Sequence, residues 1–331
     1  MTAAGIAYTS VWRTSNLGGS PTEVHAMPTR WNTPALIFFI ATVVTPSKSF
    51  TQQAAPAPPP IEQLYKMPVV YSVPGMDKAQ VRRDIVYKSV DTEKGKLDLK
   101  LDIYLPAGAK QGRSLPAVVL ISGGGIEGAP YDWRDAGVYQ SYGRILAASG
   151  FVGVSYSKRY APGPAAENGI ADTRDLVAYL REHTADFHID KDRLAYWAFS
   201  AGGGVLASIL AESAPATCGV LCFYCVAEAN VSGLSAEDAE KKRRVFSSVY
   251  QLQQGGHRFS PLFIARAGLD NPTLNAGLDA LVSAALTKNL SVEVLNHAAG
   301  RHAFDILDDN DRSREIIARA LQFLRTNLEN H

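Results

Sequence analysis

The chain has 331 residues, of which 46% are hydrophobic, and this is enough for one large folded domain beside a shorter extension. Its 33 lysines and arginines almost cancel its 32 aspartates and glutamates. Because no large field of one sign results, neither nucleic acid nor an anionic membrane surface is expected as a partner.

The beginning of the chain differs from the rest. Residues 1–63 are predicted to be a leader and a disordered linker, and residues 64–331 to be the folded domain. The apolar run at 35–44 is too short for a stable membrane span and resembles the apolar part of a signal peptide, for which Met27 is the expected start. Residues 51–60, TQQAAPAPPP, form a Pro/Ala-rich linker. We therefore expect export to the periplasm or the medium; the alternative is a cytoplasmic protein with a disordered tail.

From residue 83 onward, extended and helical segments alternate, which predicts a mostly parallel sheet with helices on both faces. The first two strands are expected to be antiparallel, because a short turn joins them. Strands are predicted at 83–90, 96–105, 116–121, 151–156, 193–199, 218–226, 262–267 and 291–295. Helices are predicted at 138–149, 171–183, 202–212, 273–286 and 311–328. Residues 228–256 are polar and are predicted to be helical and exposed, as a small cap over a site would be.

The strongest local signal is YWAFSAGGG, in which an apolar strand runs directly into Ser200, small residues and a helix. This is the setting of a nucleophile elbow, a sharp turn that needs small neighbours so that strand and helix can approach. Gly202 is one such neighbour, whereas Ala198 stands where the usual Gly-x-Ser-x-Gly pattern has its first glycine. The alternative for Ser200 is a simple helix N-cap.

A glycine run, SGGG, follows the strand predicted at 116–121. In folds with a nucleophile elbow, this position supplies half of an oxyanion hole. The backbone N–H groups of Gly123 or Gly124, together with that of Ala201, are therefore predicted to bind a developing oxyanion; one such contact is worth about 3 kcal/mol. The alternative is a phosphate-binding turn, although the run lacks both the Gly-x-Gly-x-x-Gly spacing and the lysine of a P-loop.

An acid is expected at Asp270, because it follows the strand at 262–267 and so lies at the carboxyl edge of the sheet, where Ser200 is also expected. Asp270 could instead cap the next helix, but Asn271 can take that place. Asp279, on the helix itself, is the reserve candidate.

A general base is expected at His302, in the loop between the last strand and the last helix. A histidine in that loop can reach over the serine and take its proton. His297 is the weaker candidate, since it lies nearer the end of the strand. The order Ser200, Asp270, His302 is the order in which this kind of triad occurs in α/β-hydrolases.

Three cysteines, Cys218, Cys222 and Cys225, stand in the apolar run CGVLCFYC. Their spacing resembles the iron–sulfur loop of radical-SAM enzymes. The run is also apolar and β-prone, however, which favours three small hydrophobic residues in a strand. Their clustering argues against a disulfide framework.

Several motifs together resemble the landmarks of esterase-like α/β-hydrolases, particularly the hormone-sensitive-lipase-like and dienelactone-hydrolase-like groups. They are, in order, LDIYLP, SGGG, YSKRYAP, DKDRLAYWAFSAGG, ARAGLD and GRHAFD, and the resemblance covers about residues 83–328. The resemblance implies an α/β-hydrolase fold, a Ser200–His302–Asp270 triad and an oxyanion hole at Gly123, Gly124 and Ala201. It implies a carboxylic ester hydrolase with a small-molecule ester substrate.

Two departures limit what the resemblance implies. Ser122 stands where the lipase-like group commonly has a histidine, and Ser200 stands where dienelactone hydrolases have a cysteine, so lactone specificity is not expected. A serine triad needs no metal or organic cofactor. The alternatives from the residues are a peptidase or amidase of the same fold and a binding module without chemistry. The sequence carries no signal for an oligomeric state.

Overall fold

The computed structural model describes residues 59–93, 95–109, 113–124, 131–159, 166–211, 217–254 and 259–329. Met27, the apolar run at 35–44 and the linker up to residue 58 lie outside these ranges, as does Gly125. The predicted leader and the predicted domain boundary at residue 63 stay predictions. Within the described part, a short helix at Ile61–Lys66 runs across that boundary.

Eight strands of the described residues form one sheet, in the order β1-β2-β4-β3-β5-β6-β7-β8. The strands are β1 Gln80–Thr92, β2 Gly95–Leu105, β3 Leu115–Ile121, β4 Val152–Tyr156, β5 Ile189–Phe199, β6 Thr217–Phe223, β7 Leu262–Ala267 and β8 Val292–His297. Strand β2 pairs antiparallel with β1 and β4, and the pairs from β4 through β8 are parallel. The predicted antiparallel opening and mostly parallel sheet are confirmed.

Helices α2 to α8 connect the parallel strands, as crossover connections require, whereas α1 precedes the sheet and α9 and α10 follow it. The helices of the described residues are α1 Ile61–Lys66, α2 Gly137–Ala148, α3 Ala166–Glu182, α4 Thr184–Phe187, α5 Gly203–Ala211, α6 Ala236–Phe246, α7 Ser248–Gln254, α8 Pro272–Thr287, α9 Phe304–Leu307 and α10 Asp311–Glu329. Among the described residues, no helix has the length and apolar character that crossing a bilayer requires.

The core has two layers because the central strands are apolar on both faces. Along β5, Tyr196 and Ala198 pack on one side with α3, α5 and α8, whereas Trp197 and Phe199 pack on the other with α2 and α10. Such burial contributes roughly 25 cal/mol for each Å² of apolar surface removed from water. The continuous apolar runs that predicted these strands are therefore explained by helices on both faces.

The segment predicted as a small cap packs against other helices of the domain. The polar segment at 228–256 does form two helices, α6 and α7. However, Val249 and Leu252 of α7 are buried in the same core layer as Leu206 of α5 and Leu278 of α8. The described part of this segment therefore packs on a face of the sheet and extends a helical layer.

A buried ion-pair cluster joins the antiparallel edge of the sheet to the loop before α2. Asp102 of β2 is completely buried and accepts hydrogen bonds from the Arg134 and Arg83 guanidinium groups and from the Asp84 amide. Arg134 is itself buried and also pairs with Asp135 at 2.9 Å. Without Asp102, the buried Arg134 would keep only carboxylates that are themselves partly exposed, those of Asp84, Asp132 and Asp135.

We expect Asp102→Ala to lower the free energy of unfolding by about 3 kcal/mol, because Arg134 would lose its buried partner. The control is Lys241→Ala, which removes an exposed ion pair with Glu237 at 2.7 Å and should cost about 0.5 kcal/mol or less. Urea unfolding of both variants beside wild type measures the difference. Equal losses in the two variants would contradict this account of the cluster.

Candidate active site

Ser200 lies at a sharp turn between β5 and α5, and its backbone φ is +52°, in the left-handed region that few residues other than glycine adopt. Gly202 allows the turn to approach β3, because a Cβ at this position would lie 2.5 Å from the Ile121 carbonyl oxygen and 2.9 Å from that of Ser122. Ala198 is fully buried in the core, which accommodates the methyl group that departs from the usual motif. The nucleophile-elbow geometry predicted from the sequence is thus present in the fold.

The side chains of Ser200, His302 and Asp270 meet in series. His302 Nε2 lies 2.9 Å from Ser200 Oγ, and His302 Nδ1 lies 2.6 Å from Asp270 Oδ2. The Asp270 side chain is 6% exposed and that of His302 is 39% exposed. When Nδ1–H donates to the carboxylate, Nε2 is left as an acceptor for the serine proton. The three residues singled out in the sequence are therefore brought together.

The loops that carry Asp270 and His302 are hydrogen-bonded to each other. The Gly268 amide donates to the His297 carbonyl at 2.8 Å, and the Leu269 amide donates to the Gly300 carbonyl at 2.9 Å. A side chain at position 268 would place its Cβ 2.2 Å from the Ala298 carbonyl oxygen. These contacts fix the separation between the two loops before any side chain is considered.

The competing assignments have other partners. Asn271 accepts a hydrogen bond from the Thr273 amide and caps α8. Asp270 is therefore not the cap of this helix, and its side chain contacts His302. Asp279 pairs with Arg266 at 3.0 Å. His297 is buried, with Nε2 at 3.2 Å from both Asn310 and Ser313. Neither reserve candidate reaches the serine.

A buried carboxylate supports the other side of His302. The ring of Tyr224 lies 4.8 Å from the His302 ring, and its hydroxyl donates to Asp305 at 2.7 Å. Tyr142 donates to the second oxygen of Asp305 at 2.8 Å. Burial raises the pKa of Asp305. Asp305 closes the motif GRHAFD, but the sequence alone does not indicate its contact with Tyr224 and Tyr142.

Gly123 and Gly124 follow β3 and lie at the mouth of the elbow. A Cβ on Gly123 would lie 2.9 Å from Ser200 Cβ, and one on Gly124 would lie 2.4 Å from Trp133 Nε1. The Gly123 amide donates to the Tyr139 hydroxyl at 3.2 Å. Both glycines are thus required by close approach, while their role as an oxyanion hole with Ala201 stays a prediction.

A pocket of about 260 Å³ opens at Ser200 and His302. Its walls are mainly apolar and aromatic, and they come from six separate parts of the chain. They include Leu64, Trp133, Val138, Tyr139, Phe199, Tyr224 and Ile306. The wall at Leu64 belongs to α1, a helix that the sequence analysis did not predict.

Lys158 is a buried cation close to the glycine turn, and its residue is 1% exposed. Its ammonium donates to the Ser122 carbonyl at 2.8 Å, to the Ser122 hydroxyl at 2.7 Å and to the Gly124 carbonyl at 2.5 Å. Burial lowers its pKa to about 7, against the opposing charges of Asp132 and Asp172. Lys158 belongs to the motif YSKRYAP, but the sequence alone does not indicate that its side chain is buried.

The three cysteines do not converge. Cys218 packs in the core layer of α2 and α10, whereas Cys222 and Cys225 pack in the layer on the other face of the sheet. The Cys225 thiol donates to the Ala198 carbonyl at 3.2 Å. Because the sheet separates the first thiol from the other two, the iron–sulfur interpretation is wrong and these residues serve as small hydrophobic side chains.

The sheet order, the elbow and the sequence order of the three side chains show that the chain has the α/β-hydrolase fold. Residues 101–244 match the family model described as BD-FAE, an esterase family of the α/β-hydrolase type. That match includes Ser200 but ends before Asp270 and His302. No protein of the curated set matches the sequence.

Solved structures of a thermophilic esterase from the planctomycete Thermogutta terrifontis are similar to the chain. The native enzyme is 21% identical with a TM-score of 0.58, and the similarity covers 76% of this chain and 94% of that one. The butyrate-bound form is 22% identical, with a TM-score of 0.57 and coverage of 76% and 95%. The form phosphoramylated by tabun is 21% identical, with a TM-score of 0.58 and coverage of 76% and 96%. At these identities the likeness confirms the fold.

The pKa of Lys158 generates a prediction about stability and pH. Below about pH 7 the folded protein must hold a buried ammonium, and this penalty is then fully present. From about pH 7 toward the usual lysine pKa, the unfolded chain binds the proton that the folded chain has lost, so stability rises with pH. We expect wild type to gain about 2 to 3 kcal/mol relative to Lys158→Met between about pH 6 and pH 9. Urea unfolding at both pH values measures this gain, and a difference independent of pH would contradict the shifted pKa.

Proposed function

We propose that the chain is a serine hydrolase that cleaves a carboxylic ester through an acyl-enzyme intermediate. The observation that carries this proposal is the series of two short contacts, 2.6 Å from Asp270 to His302 and 2.9 Å from His302 to Ser200. Such a series activates a hydroxyl that is otherwise a weak nucleophile.

In the proposed mechanism, Ser200 Oγ attacks the ester carbonyl carbon while His302 Nε2 takes its proton. Asp270 orients the imidazole and stabilises the imidazolium that forms. His302 then gives the proton to the departing alcohol, and the acyl group stays on Ser200. A water molecule, deprotonated by His302, attacks the acyl-enzyme and releases the carboxylic acid.

The oxyanion that forms in both steps is proposed to be bound by backbone amides of Gly123 or Gly124 and of Ala201. Support comes from the position of both glycines at the pocket that contains Ser200, and from the position of Ala201 directly after the nucleophile. Amides held by the fold stabilise the developing charge without having to reorganise.

The pocket and the similar structures support a short acyl group. A volume of about 260 Å³ lies below the range of roughly 300 to 1,000 Å³ that is usual for drug-sized ligands. The similar esterase from T. terrifontis has been solved with butyrate and with propionate bound. The same esterase is phosphoramylated by tabun, and such a reaction calls for an activated nucleophile. We therefore propose small esters with short acyl chains as substrates.

Ser200→Ala should abolish labelling by a fluorophosphonate probe and lower kcat on p-nitrophenyl butyrate by about 10⁴-fold or more, because the nucleophile is gone. The matched control is Ser208→Ala, since Ser208 is a buried serine of α5 that donates to the Val205 carbonyl at 2.8 Å. Its labelling and turnover should equal those of wild type. Labelling that survives in Ser200→Ala would remove Ser200 from the mechanism.

Asp270→Asn should lower kcat by roughly 10³- to 10⁴-fold with little change in fold, because the amide favours the wrong tautomer of His302. Asp279→Asn is the matched control on the adjoining helix and should keep wild-type kcat, since Asp279 contacts Arg266 and not the triad. Steady-state kinetics on p-nitrophenyl butyrate separates the two. Equal activity in both variants would show that Asp270 is not the orienting acid.

A further inference from the structure

Lys158 is a buried cation for which the proposed mechanism has no direct use. It lies two residues beyond β4, the strand that pairs with β3, and its ammonium reaches under the turn that leaves β3. In its protonated form, the side chain has three N–H donors, and it contacts three acceptors, the Ser122 carbonyl, the Ser122 hydroxyl and the Gly124 carbonyl. The Ser122 hydroxyl in turn donates to the Gly124 carbonyl at 2.7 Å.

By holding these carbonyl groups, Lys158 also determines the direction in which the adjoining backbone N–H groups point. A peptide unit is planar and trans, so its N–H points away from its C=O. When Lys158 fixes the Ser122 carbonyl, the Gly123 N–H is directed to the opposite side of that peptide. This amide donates to the Tyr139 hydroxyl, which lines the pocket at Ser200, so a substrate oxyanion would have to replace that hydroxyl as its acceptor. The lysine thus sets the orientation of one of the amides proposed to bind the oxyanion.

The cation is an expensive way to fill this position. Taking an ammonium out of water costs several kcal/mol even after the surroundings relax. The nearest charges that offset this cost are Asp132 and Asp172. Asp132 accepts from the Ser157 hydroxyl at 2.6 Å, and Asp172 pairs with Lys88 and Arg159, each at 2.8 Å. Since an apolar side chain would avoid the desolvation, stability alone does not explain a lysine here.

We propose that Lys158 is a positioning residue that holds the Ser122–Gly124 turn in the orientation that binds the oxyanion. This proposal rests on the proposed function. Lys158 acts through the backbone and does not touch the substrate. Its contribution is therefore to the transition state, in which charge develops at the amides, and not to the binding of an acyl chain in the apolar pocket.

The test is Lys158→Met, which keeps the length of the side chain and removes the donors. We expect kcat on p-nitrophenyl butyrate to fall by about 10- to 100-fold, because a displaced oxyanion donor loses much of its effect. KM should stay within about twofold of wild type, because ground-state binding is unchanged. A role in folding alone would lower the fraction of active enzyme and leave unchanged the kcat per active site, with active sites counted by fluorophosphonate titration of a separate sample.

Arg193→Met is the structural control. Arg193 is a half-buried cation at the opposite end of β5 from Ser200, paired with Asp190 at 2.8 Å. Its loss should lower the unfolding temperature while kcat per fluorophosphonate-titrated site remains that of wild type. A kcat for Lys158→Met equal to that of wild type, again per titrated site, would overturn the positioning role.

A double-mutant cycle with Ser122→Ala tests the coupling directly. This change removes one of the three acceptors and should lower kcat by severalfold in wild type, with little further effect when Lys158 is already methionine. Additive losses would overturn the proposal. If Lys158→Met does not fold, Ser122→Ala alone tests the proposal. An unchanged kcat in that variant would show that Lys158 does not act through the Ser122–Gly124 turn. If wild type shows no esterase turnover that depends on Ser200, the proposed function is wrong, and the proposed role of Lys158 is wrong with it.

Discussion

The site depends on one constraint, which is the close approach of the turn at Ser200 to β3. Gly202 lies so near the Ile121 and Ser122 carbonyls that a Cβ could not be accommodated without moving the backbone. This approach places Ser200 beside Gly123, in a left-handed conformation that points its hydroxyl out of the sheet. The loops that carry Asp270 and His302 then meet Ser200 at one fixed position at the carboxyl edge of the sheet.

Buried polar groups surround this point, and each one fixes a different wall of the site. Asp305 receives two tyrosine hydroxyls and so orders the ring that packs on His302. Lys158 holds the glycine turn, and Arg134 anchors the loop that carries Trp133 into the pocket. Buried polar groups are costly unless they are fully hydrogen-bonded. The hydrogen bonds of Asp305, Lys158 and Arg134 offset that cost and hold the walls around Ser200 in place.

The residues directly after the predicted linker take part in the same architecture. Leu64 of α1 lines the pocket, and the Tyr65 hydroxyl donates to the Asp132 carbonyl at 2.7 Å. Further along, the Val70 amide donates to the Asp305 carbonyl at 2.8 Å. The pocket is thus completed by a segment that is remote in sequence from the strands that carry the triad.

The sequence by itself determined the strands, the sheet edge and the convergence of Ser200, Asp270 and His302. Apolar runs buried on both faces identify parallel strands, and the loops after β5, β7 and β8 must share one edge. It did not determine α1, the packing of α6 and α7, or the contacts of Lys158, Asp305 and Tyr139. A six-residue helix has too little periodicity to be detected. A polar amphipathic segment has the same sequence pattern whether it covers a site or packs against α5. The importance of a lysine or an aspartate depends on what lies within 3 Å of it, and contacts between distant parts of the chain are decided only by the tertiary fold.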